Sequence, residues 1–252
     1  DLLVINKPAG IVVNRAGSVK ELTVQDWAEN IVNVKIIENE ENNDSNPLSS
    51  TFSTRTGIVH RIDKETSGCL IIAKNPGSFY TIQISFKEHN VNKTYLALTH
   101  GKLASQSGTI NVPIGRLPWN REQFGVVPGG KEAVTRFRVI KSLEKKLKDK
   151  INLFSLVELY PQTGRTHQIR VHLKYLGYPI VGDYLYAGRK QQKSDRLWCP
   201  RVFLHAAKIE FPHPKNQKII TVEAPIPNDL KFILAGLTEI STSTIAVNAQ
   251  TT

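Results

Sequence analysis

Methionine is absent from this chain, cysteine occurs only twice, and acidic residues number 22 against 33 lysines and arginines. Each shortage excludes something. Two isolated cysteines, Cys69 and Cys199, cannot build a disulfide framework or a four-ligand zinc site. Cys69 lies in the apolar run Cys69-Leu70-Ile71-Ile72-Ala73 and reads as a buried thiol, which suits a reducing, cytoplasmic setting. No apolar run approaches the roughly 20 residues of a membrane span, and no signal-peptide pattern is present. Glycine-rich phosphate loops are missing too, since Pro128-Gly129-Gly130-Lys131 lacks Walker spacing. His167 and His172, five apart, sit about 140° around a helix and cannot chelate as an i,i+4 pair. No metal and no cofactor are therefore expected. The chain opens inside an apparent strand, Leu2-Leu3-Val4-Ile5, so it reads as a piece whose earlier residues are missing.

The shortage of acid leaves a formal net charge of +11 and a pI near 9.6. That balance suits an anionic partner, most simply nucleic acid. Aromatics interleave with cations in Leu117-Pro118-Trp119-Asn120-Arg121-Glu122-Gln123-Phe124 and in Lys93-Thr94-Tyr95. A hydrophobic fraction of 40% is enough for a sizeable core.

Strands are expected over 2–5, 93–99, 133–140, 152–160, 201–211 and 218–222, with a charged connection over 141–150. Thr23 is placed to cap a helix reaching about Val34, with Trp27 and Ile31 on one face. Asn75-Pro76 opens a second helix to about Glu88, by the preference for Asn at the cap and Pro at the first turn. Thr166 to Leu176 is the clearest helix: Ile169, Leu173 and Leu176 form a stripe, and Gly177 is a natural stop. A last helix is expected over 228–237. Many strands joined by short turns predict an α+β fold on a mostly antiparallel or mixed central sheet with flanking helices. One domain is expected over 1–240. Residues 38–56, acidic and Asn-rich, are expected to form a flexible insertion, and 241–252 a disordered tail.

The richest segment is Val59-His60-Arg61-Ile62-Asp63-Lys64-Glu65-Thr66-Ser67-Gly68, between Ile58-Val59 and the apolar run from Cys69. It sets one carboxylate, Asp63, between cations that favour its ionised form. Such a group is suited to nucleophilic attack or to stabilising positive charge. Most charge clusters are only surface ion pairs of little energetic weight. The whole segment, however, resembles the His-Arg-(Leu/Ile)-Asp-x-x-Thr-Ser-Gly signature of the RluA-type, ribosomal large-subunit pseudouridine synthases. Ile62 for the more usual Leu is a mild departure.

Four further segments resemble that family in the same order: Asn6-Lys7-Pro8-Ala9-Gly10, Lys93-Thr94-Tyr95-Leu96-Ala97, Thr163 to Leu173 continuing to Gly182-Asp183, and Phe203-Leu204-His205-Ala206. The resemblance runs from Leu2 to about Leu237. It implies an isomerase that converts uridine in RNA to pseudouridine by base flipping, without a cofactor, with an RNA-binding cleft across the sheet. Asp63 is then the catalytic carboxylate, Tyr95 faces the base, and Arg170 is the partner of Asp63. Arg165 is the rival partner, more suited to a phosphate near the helix start. Arg61 fills the gap left by the flipped base, and Leu204 lines the uracil pocket. His60 and His167 are further pocket residues, although His60 also reads as structural. Lys174 reads as plain solvated surface.

Arg116 and Arg121, in a Gly-, Pro-, Arg- and Trp-containing stretch over 101–133, are candidates to grip RNA. The expected partner is ribosomal RNA, with transfer RNA the alternative, and the expected state is a monomer. Two rivals stand beside this reading: an RNA-binding or ribosome-assembly factor without catalysis, and a glycoside hydrolase. The hydrolase needs a second positioned acid. Glu65 has no motif of its own, and Asp183 reads as fixing a turn.

Overall fold

The computed structural model describes residues 1–32, 47–147 and 150–240, without the side chains of 47–49 and Arg121. Among these residues, eleven strands and six helices form the α+β arrangement expected from the sequence. The strands are β1 (Leu2–Lys7), β2 (Ser67–Ala73), β3 (Asn92–His100), β4 (Ser107–Asn111), β5 (Ile114–Leu117), β6 (Asn120–Val126), β7 (Val134–Leu147), β8 (Lys150–Pro161), β9 (Leu204–Pro212), β10 (Ile219–Glu223) and β11 (Thr238–Glu239). The helices are α1 (Val24–Val32), α2 (Pro47–Arg55), α3 (Pro76–Lys87), α4 (Gln168–Tyr175), α5 (Arg189–Asp195) and α6 (Asn228–Ala235).

The main sheet runs β1-β2-β9-β3-β8-β7-β11, with β10 added on β9 and β4 on β7. Its pairs are antiparallel except β2 with β9, where Ser67 lies opposite His205 and Gly68 opposite Ala206. β5 and β6 form a separate hairpin. Two large apolar cores result, beside a small cluster of Ile114, Ala133, Val171 and Tyr186 under the hairpin. One packs β1 and β2 with α1, α2 and α3; the other packs β3, β8, α4 and α6. Tyr95 touches both, so the segments of interest converge on the seam between them.

Local signals explain the helix starts. Asn75 Oδ1 accepts from Ser78 N at 2.9 Å with Pro76 at the first turn. At α1, Thr23 Oγ1 accepts from Asp26 N, and Asp26 accepts in return from Thr23 N. This is a capping box with Asp in place of Glu. Trp27 and Ile31 do share a face of α1, but it is the solvent side; Val24, Ala28 and Val32 face the core.

Two expectations are corrected. Residues 141–147 are not a connection. β7 and β8 pair on to Leu147↔Lys150, with Leu143 buried while Lys141 and Lys146 are exposed and Lys145 reaches Gly236 O and the Trp198 ring. Backbone ladder bonds do not depend on the side chain, so a charged run can carry them where its side chains reach water. Part of the expected insertion, Pro47–Arg55, is the helix α2, because Phe52 is fully buried edge-on to Phe79. The rest of that insertion, 38–46, lies outside the described residues, as does the expected tail. On α4, Lys174 is exposed as expected, whereas Gln168, Arg170 and His172 are as buried as Ile169 and Leu173.

Candidate active site

The loop carrying Asp63 leads into β2 and is pinned from several sides. Lys7 is fully buried at the end of β1, and its ammonium donates to the carbonyls of Pro8, Ile11 and Lys64 at 2.7, 2.9 and 3.1 Å. Burial lowers its pKa to about 8, against the opposing pull of Glu65 and Asp63. Gly10 N donates to Lys64 O, and Arg201 reaches Glu65 O. The backbone beside Asp63 is therefore fixed by residues far away in sequence. Gly68 closes the loop at φ +116°, and a Cβ there would lie 2.2 Å from Ala206 O. Only glycine fits where β2 meets β9 so closely.

His60 is the loop's other anchor. Its Nε2 accepts from Ile71 N at 2.9 Å, and its ring lies on Phe86 with centroids 4.7 Å apart. Burial first, then the nearby charge of Lys93, push its pKa down to about 3, so it is a neutral acceptor. It lines the cleft, but its one described hydrogen bond is structural.

Opposite the loop stands α4. Arg170 is buried, and its Nε and Nη2 donate to the two carboxylate oxygens of Asp183 at 2.7 and 2.8 Å. Its remaining nitrogen, Nη1, faces Asp63 Oδ2 at 3.5 Å. Asp183 also accepts from the backbone N–H groups of Leu185 and Tyr186. It does fix a turn, and it additionally aims the arginine. A bidentate fork is the geometry in which Arg is most directional. The guanidinium also lies 5.0 Å from the Tyr186 ring centroid.

The helix begins at His167, which is left-handed (φ 55°, ψ 21°). Its Nδ1 lies 2.8 Å from the Tyr186 hydroxyl, which also accepts from Phe124 N at 3.1 Å. Tyr186 thus bridges the backbone of β6 and the imidazole, whose Nε2 makes no hydrogen bond among the described residues. Burial lowers the His167 pKa and raises that of Tyr186 to about 12. Gln168 ties the turn before the helix to β7, accepting from Thr163 and donating to Val134 O and Thr135. Arg165 is exposed and donates to Glu132 O from Nε.

A cleft of about 570 Å³ separates these walls. His60, Arg61, Asp63, Tyr95, Arg165, His167, Arg170 and Leu204 all line it, so eight of the ten candidates converge. Asp63 is the only carboxylate lining it among the described residues, whereas Arg61, Lys87, Lys93, Arg165 and Arg170 bring positive charge. That arrangement disfavours the hydrolase reading, which needs two acids. Tyr95 is aimed into the cleft next to a register shift in the β3–β9 pairing. Such irregularities commonly re-aim a side chain. Burial, reinforced by the negative charge of Asp63, raises its pKa and keeps the phenol neutral. Leu204, buried on β9, supplies an apolar patch.

Arg116 does not line the cleft. It stands at the rim on β5, its guanidinium 5.2 Å from the Phe124 ring centroid, and Phe124 meets His167 edge-on at 5.8 Å. Arg121 is on β6, and its side chain lies outside the described residues. The residues that sequence reasoning did not single out are Lys7, Gln168, Tyr186 and Arg201. Lys7 lay inside a quoted motif, but nothing local indicates that its ammonium is buried under three carbonyls.

A family model described as RNA pseudouridylate synthase matches residues 1–175. The chain is 37% identical over 238 residues to an uncharacterised RNA pseudouridine synthase, YlyB, of Bacillus subtilis, covering 94% of this chain and 70% of that one. It is 34% identical over 248 residues to ribosomal large subunit pseudouridine synthase D of Nitrosomonas europaea, covering 97% of this chain and 65% of that one. The chain thus spans about two thirds of the length of these relatives. Among solved structures, the human RNA pseudouridylate synthase domain containing 1 protein superposes with a TM-score of 0.69 at 26% identity, covering 96% of this chain and 86% of that one. No helix among the described residues is long and apolar enough to cross a membrane.

Proposed function

The chain belongs to the RNA pseudouridylate synthase family, and from that premise we propose that it isomerises uridine in RNA with Asp63 as the essential carboxylate. One observation carries the assignment: Asp63 is, among the described residues, the sole carboxylate lining a cationic cleft, and faces an arginine that is itself locked by Asp183.

The reaction needs no co-reactant. The N1–C1′ bond breaks, the uracil turns, C5 bonds to C1′, the hydrogen on C5 leaves as a proton, and N1 takes one up. The target uridine must first leave its stack at a cost of a few kcal/mol. Cations that neutralise phosphates offset that cost. Arg61, exposed beside Asp63, occupies the vacated position in the stack. Asp63 attacks the flipped nucleotide, at C1′ of the sugar or C6 of the base. Arg170 positions that carboxylate and balances its charge. Tyr95 offers a neutral ring for the base to stack on and an oxygen for proton transfer at C5. Leu204 lines the apolar side of the uracil site, the His167 Nε2 hydrogen-bonds the base edge, and Arg165 serves a phosphate. The hairpin of Arg116 and Arg121 grips RNA further out.

Large-subunit ribosomal RNA is the favoured substrate, because relatives at 32–34% identity carry ribosomal large-subunit names. The enzyme acts as a cytoplasmic monomer. The test is tritium release from transcripts of ribosomal and transfer RNA labelled at C5 of uridine. Release by the parent and none by Asp63→Ala is expected. RNA binding without release from any transcript would instead favour a non-catalytic binding factor.

A further inference from the structure

The mechanism above leaves one end of the cleft unused. There, on β3, Lys93 stands two residues before Tyr95, and both side chains line the cleft. Two residues along a strand span roughly 6.6 Å. The Lys93 ammonium lies 5.9 Å from the centroid of Phe86, whose ring packs on His60. Lys87, at the end of α3, and His89, in the turn that follows, line the same end. His89 is left-handed (φ 62°) and hydrogen-bonded through Nδ1 to Gln162 O across the cleft, which fixes the mouth. No carboxylate lines this end, and among the described residues Lys93 has no ion-pair partner.

A half-buried lysine against an aromatic wall, without an anion, is unfavourable by itself. Desolvation lowers its pKa to about 8. Other cleft cations are either paired, as Arg170 is with Asp183, or free in solvent, as Arg61 is. Lys93 is neither.

Resting on the RNA reading above, we propose that Lys93 is a phosphate-binding residue, holding the phosphodiester next to the flipped uridine while Phe86 and His60 form the floor of that subsite. The spacing suits it: a base held against Tyr95 places its own or the adjoining phosphate one strand step away. Bound phosphate supplies the missing negative charge, and the ammonium supplies up to three donors.

The experiment uses the intact chain and a short fluorescent oligouridylate. Lys93→Met keeps the packing on Phe86 without charge, and Lys93→Arg keeps the charge. Lys190→Met, exposed on α5 and outside the cleft lining, is the control. For Lys93→Met the affinity should fall about tenfold, and the slope of log K against log salt should shallow by about 0.7. Lys93→Arg should retain both, and the control should match the parent. Between about pH 7 and 9 parent affinity should decline more steeply than that of Lys93→Arg, since Lys7 titrates alike in both and only the parent loses the charge at position 93. On a transcript that the parent modifies, Lys93→Met should raise KM and leave kcat within a few-fold. Should Lys93→Met not fold, the alkaline comparison of parent with Lys93→Arg decides alone. An unchanged salt slope and unchanged alkaline profile would overturn the proposal. If the slope shifts but the parent releases no tritium from any RNA, the phosphate site stands and the synthase reading fails.

Discussion

Replacing Asp183 by Asn tests how the site is built. The side chain has no solvent exposure and takes two donors of Arg170 at 2.7 and 2.8 Å, plus the backbone N–H groups of Leu185 and Tyr186. Asparagine is isosteric and can keep its oxygen toward the two backbone donors. Its NH₂ then faces the Arg170 Nε–H, donor against donor, and the charge is gone. Arg170, with a side chain only 4% exposed, keeps its Nη2 bond to that oxygen but loses the Nε bond and the buried counter-charge, with Asp63 at 3.5 Å as its remaining anion. Uncoupling a buried ion pair by removing one partner costs about 3–5 kcal/mol. In a chain of this size each kcal/mol lowers the melting temperature by about 2–4 °C, so a drop of about 10 °C is expected. The freed guanidinium is drawn toward Asp63, and a misplacement of about 1 Å can cost about a hundredfold in rate. Asp63→Asn is the contrasting variant. That side chain is 21% exposed with one long contact, so stability should change by about 1 kcal/mol or less while turnover disappears. Calorimetry with single-turnover tritium release measures both quantities. If Asp183→Asn melts within about 2 °C of the parent, or if the two variants lose equal stability, then Asp183 does not hold Arg170 in place and the reasoning fails.

Other consequences follow from the same structure. The pKa of His60 is pushed down to about 3, below its unfolded value near 6.5, so beneath that pH the unfolded chain takes a proton the native one refuses. Stability should therefore fall as pH drops from about 6.5 toward 3, by up to about 1.4 kcal/mol per pH unit for this group, with His167, His172 and His205 adding in the same direction. His60→Gln, which can still accept from Ile71 N, should shallow that acid limb in urea titrations; an unchanged slope would count against a neutral His60. Gly68→Ala would force Cβ onto Ala206 O and should cost at least about 2 kcal/mol, read as a lowered urea midpoint. Full stability of that variant would contradict the close β2–β9 contact. Neutralising Arg116 and Arg121 together should weaken RNA binding and reduce its salt slope by roughly 1.4, by filter binding at several salt concentrations. Unchanged binding would remove the hairpin from the RNA path.

Much of this protein was legible in its sequence, because much of it is local. The cap at Asn75 and the stop at Gly177 depend on neighbours within a few residues. The same holds for the charge balance, which needs only counting. The motif around Asp63 and its order relative to the segments at Tyr95, Arg170 and Leu204 identified the family, since several patterns in sequence rarely coincide by chance.

Tertiary structure decided what depends on contacts distant in sequence. Arg170 and Asp63 are 107 residues apart, and Lys7 reaches Lys64 across 57. Nothing local shows that Arg170 is buried; packing against Asp183 and Tyr186 decides it. Residues 141–150 look like a connection because lysine and glutamate outnumber their apolar neighbours. Residues 141–147 and Lys150 extend the sheet because backbone ladders accept any residue whose side chain can reach water. Composition fixes which groups are available. Their partners, and so their charge and direction, are set by which distant backbone or carboxylate folds against them.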